Sequence, residues 1–218
     1  MPDDFDERAA TWDDDPDTVQ HARAAADAIR AAVSPQRSTR LLEYGAGTGL
    51  TSQALADDVG AITLAEPSTG MRAVLADKLA AGTLPGGTRI WDLDLSVDEP
   101  PDAQFDLIVT VMTLHHIHVL APVLRAFADL LVDGGQLCIV DLEEEDGTFH
   151  AHNPDFDGHH GFARTALARE IEAAGFIDVR FEPCFRIVEE QGSYPLFLAT
   201  CTLDASTVSE PRAGEVRA

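Results

Sequence analysis

The sequence predicts an α/β fold in which a mostly parallel sheet carries helices on both faces. Short β-type apolar runs alternate with segments of helical periodicity along most of the chain. A glycine-rich turn joins the first of these runs to the helix that follows it. The 218 residues, 45% of them hydrophobic, suffice for one domain with a substantial core that needs no disulfide scaffold.

From Thr18 to Val33 the positions Val19, Ala22, Ala25, Ala26 and Ile29 recur at helical spacing, and Pro35 ends the run. Arg40 to Tyr44 reads as a strand, the glycines after it as a turn, and Leu50 to Val59 as a helix. The alternation continues with Ala61 to Ala65 as strand, Thr69 to Ala80 as helix, and Thr88 to Leu93 and Phe105 to Val111 as strands. Val119 to Leu131 places Leu120, Val123, Leu124, Phe127, Leu130 and Leu131 on one helical face, with Gly134-Gly135 after its end. Gln136 to Asp141 is a fifth strand. Arg164 to Ala174 is a last helix capped by Gly175, followed by strands at Phe176 to Phe185 and Tyr194 to Leu203.

With 15 basic against 38 acidic residues the chain carries a formal charge of −23, a field that repels nucleic acid backbones and anionic lipid. No nucleic acid or membrane partner is expected. The acidic start lacks the basic and apolar regions of a secretory signal, and the apolar stretch from Leu107 to Val132 is broken by His115, His116, His118, Pro122 and Arg125. Cys138, Cys184 and Cys201 lie in apolar runs and read as reduced core residues. These features predict a soluble, cytoplasmic protein.

The strongest local signal is LLEYGAGTGL, residues 41–50, where Gly45, Gly47 and Gly49, with Thr48 among them, follow a strand and open a helix. Glycines there let backbone amides approach a ligand closely. The dinucleotide pattern wants a third glycine where this chain has Leu50, and Glu43 would repel a pyrophosphate while suiting a cationic ligand. The segment resembles motif I of class I S-adenosylmethionine-dependent methyltransferases. FDERAATWDDDP, DLEEEDGTFH and HHGFARTALAREIEAAGF resemble segments of a large group of small-molecule methyltransferases within that family.

The resemblance implies a Rossmann-like sheet of seven strands, mostly parallel with the last one antiparallel, and S-adenosylmethionine as cosubstrate. It places Glu43 near the ligand's cationic methionine end and Glu66, nineteen residues after Gly47, on the ribose hydroxyls. Met71 falls where an apolar side chain packs on the adenine, although core packing accounts for it equally well. In WDLDLS the resemblance implies an aspartate on the adenine amino group and the next backbone N–H on a ring nitrogen. Asp94 with Leu95 is preferred, because the strand would end at Leu93, and Asp92 is the alternative. Backbone carbonyls from Thr110 to Met112 would hold the methionine ammonium.

Two departures from the family stand out: Tyr44 replaces a small aliphatic residue, and Ala163 replaces an aspartate helix cap. Neither is expected to touch the chemistry. Seven of the eight histidines lie between His115 and His160, in loops after the fourth and fifth strands. They read as a proton-accepting base, as structural hydrogen-bond donors, or as metal ligands, a reading that lacks fitting Cys or carboxylate spacing. His116 and His160, on opposite sides of the pocket, are the expected catalytic residues, and no metal is expected. Substrate contacts are expected from Phe5 and Trp12, from the Phe149–Phe162 loop and from a stretch near Glu190. Residues 1–204 form the expected single domain, with 1–34 covering the site and 205–218 a flexible tail.

The overall reading is methyl transfer from S-adenosylmethionine to a small-molecule nucleophile. A non-enzymatic S-adenosylmethionine-binding module and a nicotinamide-dependent oxidoreductase are the alternatives.

Overall fold

Asp15 accepts from the Asp17 N–H and Pro16 occupies the first turn, so helix α2 (Pro16–Val33) starts two residues before the apolar periodicity does. The computed structural model describes residues 4–151 and 153–205, so His152 and the expected tail beyond Ala205 lie outside it. Before α2 come a one-turn helix, α1 (Asp4–Arg8), and a 3-10 segment, Ala9–Asp14. Strand β1 (Leu41–Tyr44) leads through the glycine turn into α3 (Leu50–Leu55). Helix α3 is shorter than the sequence suggests, because the chain turns at Asp57-Asp58, where Arg30 of α2 holds Asp58 at 2.8 Å.

β2 (Ile62–Ala65), α4 (Thr69–Ala80), β3 (Arg89–Trp91) and β4 (Phe105–Val111) follow. α5 (Leu120–Leu130) passes directly into β5 (Leu131–Leu142). Gly134-Gly135 therefore does not cap a helix. Leu131 already pairs with Phe105, and the glycines form an irregularity before regular pairing resumes at Gln136. α6 (Arg164–Ala173) starts at Ala163 without a side-chain cap and ends before Gly175, whose φ of +98° makes the left-handed exit. β6 (Phe176–Glu189) and β7 (Gly192–Leu203) form a long hairpin. The expected insertion near Glu190 is only the two-residue turn between them.

The seven strands lie in the order β3-β2-β1-β4-β5-β7-β6, with β1 to β5 parallel and β7 antiparallel to both neighbours. Alternate residues of each central strand feed two cores. Leu42, Ile108, Leu137 and Ile139 pack with Phe127 of α5 and Ile171 of α6. Leu41, Leu107, Val109 and Cys138 pack with Ile29 of α2, Leu55 of α3 and Leu75 of α4. Both faces are thus covered, which leaves the carboxyl ends of the strands as the place for a ligand. No helix among the described residues is long and apolar enough to cross a membrane.

Candidate active site

The strand order reverses at β1 and β4, so the loops leaving their carboxyl ends diverge and form the crevice typical of such sheets. These loops are in contact at Gly45, where a Cβ would lie 2.2 Å from Thr113 Cγ2. At Gly47, with φ of +53°, a Cβ would meet nothing within 4 Å, so the loop is open on that side. Thr48 is buried, donating to Asp13 Oδ1 at 2.6 Å, and its carbonyl accepts from Lys78 Nζ at 2.7 Å. Gly49 stands at the N-cap of α3.

Glu43, on β1, is 2% exposed and accepts from the Ser52 N–H at 2.9 Å. Burial pushes its pKa up to about 7 against the relief given by Ser52, and Glu66 adds a smaller push in the same direction. No Lys, Arg or His among the described residues forms an ion pair with it. Glu66, after β2, accepts from Gly47 N at 2.7 Å and from Ser68 N at 2.8 Å. It ties the glycine loop to the start of α4. A carboxylate has about four acceptor positions, and at least two are taken this way.

Met71 is buried in the first turn of α4, where its N–H donates to the capping Ser68 hydroxyl. Of the competing aspartates, Asp92 is engaged by the Arg72 guanidinium at 2.9 Å. Asp94 closes its own turn through Ser96 N at 2.9 Å and also lies 3.4 Å from the Tyr44 hydroxyl. The Leu95 N–H donates to that same hydroxyl at 3.2 Å. Tyr44, set aside in the sequence as irrelevant to the chemistry, thus touches the expected adenine end. At the end of β4, Thr110 Oγ1 is buried with no hydrogen-bond partner among the described residues, and Met112 takes a φ of +53°, rare for a non-glycine residue.

The N-terminal segment lies across this end of the sheet. Asp6 accepts from Ser68 Oγ at 2.5 Å and Gly70 N at 2.8 Å, bonds that hold its carboxyl below the usual range. The neighbouring Phe5 packs its ring edge to face with His116, centroids 5.3 Å apart, and meets Trp12 at 5.8 Å. Only α1 and the 3-10 segment lie here, since α2 packs against α3 and β6.

Six of the described histidines fall into two groups, and His160 stands apart. His21 stacks on Phe185, His118 faces Asp157 at 3.4 Å on the surface, and the His159 ring bonds the Ile117 carbonyl at 2.9 Å. His115, His116 and His150 come together, with ring centroids 4.1 to 5.6 Å apart. His115 is 1% exposed and its Nδ1 lies 2.7 Å from Oδ1 of buried Asp141, at the end of β5. His116 is solvent-accessible on one side yet crowded by protein on the other. Desolvation and then its two imidazole neighbours push its pKa down, so the ring is neutral at physiological pH and a poor proton acceptor. His160 is half exposed with Nδ1 3.6 Å from Glu145 Oε1, and it shares Phe156 as a neighbour with His116, at 5.7 and 5.6 Å. Phe149 and Phe156 line this cluster, whereas Phe162 is buried in the α5–α6 core. Asp141, Asp6 and Asp13 were missed in the sequence; an aspartate closing a buried apolar strand was the signal available for Asp141.

A separate depression of about 300 Å³, lined by Val33, Thr39, Asp106 and Gly135, lies at the amino ends of β1 and β4, away from all these groups.

Against known proteins, the chain is 33% identical over 122 residues to an uncharacterised methyltransferase of Schizosaccharomyces pombe, covering 53% of this chain and 43% of that protein. It is 34% identical over 120 residues to the uncharacterised methyltransferase YrrT of Bacillus subtilis, covering 52% and 53%. The chain thus spans about half the length of these curated relatives. Its fold matches that of Haemonchus contortus phosphoethanolamine N-methyltransferase 2, solved with phosphomonomethylethanolamine and S-adenosylhomocysteine. That match has a TM-score of 0.70 at 12% identity over 83% of this chain and 52% of that one. A methyltransferase-domain family matches residues 18–180, which include the glycine loop, both acidic strand ends and the histidine cluster, and the chain belongs to this methyltransferase domain family.

Proposed function

We propose that the domain transfers a methyl group from S-adenosylmethionine to a nucleophilic atom of a small molecule in the cytoplasm, releasing S-adenosylhomocysteine. The observation that carries this reading is Glu43, a buried carboxylate at the mouth of the glycine loop with no cationic side chain in ion-pair contact among the described residues. A buried charge without compensation is costly, and a ligand with cationic groups relieves that cost where a pyrophosphate would add to it. The open space at Gly47 and the buried, unsatisfied Thr110 hydroxyl also fit a ligand seated between β1 and β4.

When bound, S-adenosylmethionine supplies a methyl group already activated on a sulfonium. The residues then have to bind, orient and exclude water. Glu66 would accept from the ribose hydroxyls while holding the Gly47 loop, and Met71 and Asp94 would serve the adenine end. Leu95 N–H would join them once the Tyr44 hydroxyl yields. Backbone carbonyls from Thr110 to Met112 would face the ammonium. Phe5, Phe149 and Phe156 would wall the acceptor side. Proton removal, where the acceptor requires it, falls to His160, with His116 the weaker base because of its lowered pKa. The net charge of −23 supports a small-molecule acceptor over nucleic acid.

Calorimetric titration with S-adenosylhomocysteine and a thermal-shift comparison with NAD test this reading. At about 100 times its dissociation constant the former should add about 2.7 kcal/mol to stability, and NAD nothing. Stabilisation by NAD alone would overturn the cosubstrate assignment.

A further inference from the structure

We infer that His115, His116 and His150 form a binding site for one divalent transition-metal ion of the zinc class. Each offers a ring nitrogen, and the three nitrogens lie within 4.8 Å of one another. Tetrahedral zinc with bonds of about 2.0–2.1 Å sets its ligand nitrogens about 3.4 Å apart, so closing the site takes ring movements of roughly 1 Å. His116, exposed to solvent, has the freedom to make that movement and gives the ion a route in.

The surroundings are those of a held ligand set. Asp141 is 0% exposed, and its Oδ1 already accepts from Leu142 N at 2.8 Å, so it acts as an acceptor toward His115 Nδ1. That bond places the proton on Nδ1 and leaves Nε2 as the lone-pair nitrogen, the carboxylate–histidine arrangement that orients metal-binding imidazoles. Phe156 stacks on the His150 ring at 3.7 Å and 4° and Phe149 meets it edge-on at 4.8 Å, so packing fixes a second ring, while His116 meets Phe5 in an edge contact and stays exposed to solvent.

Imidazole donors suit zinc, cobalt, nickel, copper or iron(II) and not magnesium or calcium, whose ligands are oxygens. Three protein ligands leave a coordination position for water or for an oxygen, nitrogen or sulfur of the methyl acceptor. Metal binding here does not depend on the methyl-transfer reading, because the three histidines lie outside the residues assigned to the cosubstrate.

Cobalt(II) is the probe, titrated into the full chain at neutral pH and followed by visible absorption and equilibrium dialysis. One ion per chain is expected, with the ligand-field bands of imidazole coordination. His116→Ala and His150→Ala should each weaken binding at least tenfold, Asp141→Asn by about 10- to 100-fold, and surface His118→Ala should not change it. Circular dichroism verifies that each variant is folded, and exposed His116 keeps the test available should His150→Ala fail to fold. Absence of stoichiometric binding, or equal affinity in wild type and His116→Ala, overturns the site. S-adenosylhomocysteine titration of the same samples reads the cosubstrate assignment separately, so either proposal can fail alone.

Discussion

Replacing Glu43 by Gln should make the protein more stable above neutral pH and leave it nearly unchanged in mild acid. The carboxyl's pKa is raised by burial from an ordinary 4.5 to about 7 in the folded chain. At about 1.4 kcal/mol per tenfold change in proton affinity, this gap amounts to about 3 kcal/mol. Below pH 4.5 the group is neutral in both states and costs nothing. Between 4.5 and 7 the unfolded chain releases the proton while the folded one keeps it, so stability falls as pH rises. Above 7 both are ionised and the full penalty is present. Gln keeps an acceptor for Ser52 N–H but does not titrate. Urea denaturation of both proteins at pH 5 and pH 8 should show the variant's advantage growing by about 2.5 kcal/mol between them. The remaining acidic surface is common to both proteins and cancels. Parallel stabilities, within about 1 kcal/mol, would refute the argument that Glu43 is held in a dry site. Because a cation beside Glu43 favours its charged form, S-adenosylmethionine should also bind wild type more weakly as pH drops below 7, a dependence absent from the variant.

Glu66→Gln should lower S-adenosylhomocysteine affinity about 10- to 100-fold, since it removes charge-assisted acceptance and turns an amide NH2 toward Gly47 N or Ser68 N; unchanged calorimetric affinity would move the ribose elsewhere. Tyr44→Phe frees the Leu95 N–H at a stability cost of about 1–3 kcal/mol. Its S-adenosylhomocysteine affinity should rise, and a tenfold fall would make the hydroxyl itself a ligand-binding group. Asp6→Ala removes the bonds to Ser68 and Gly70, so hydrogen exchange should quicken at Gly70 and in α1 while the β4 amides keep their protection. Equal exchange in the two proteins would show that α1 is held by other contacts.

Local chemistry made much of the architecture legible in sequence order. Helix α4 and strand β4 have the bounds their periodicity implies, because Ser68 caps the one and apolar residues run through the other. The glycine loop and the acids near the end of β1 and after β2 could be read because close backbone approach and strand ends impose residue types locally. Where bounds shifted, a distant partner decided them: Phe105 recruits Leu131 into β5, and Arg30 of α2 pairs with Asp58 beyond α3. The site's remaining features are distances between segments far apart in sequence. Tyr44 reaches Leu95 only because the turn after β3 folds toward β1, and His115 finds Asp141 only because β4 and β5 end side by side. Residue type and spacing therefore specified the sheet, the loop and the supply of imidazoles. Which imidazoles meet, which carboxylate pairs with one of them and which hydroxyl covers the Leu95 N–H were decided by sheet order and loop packing, which no local pattern encodes.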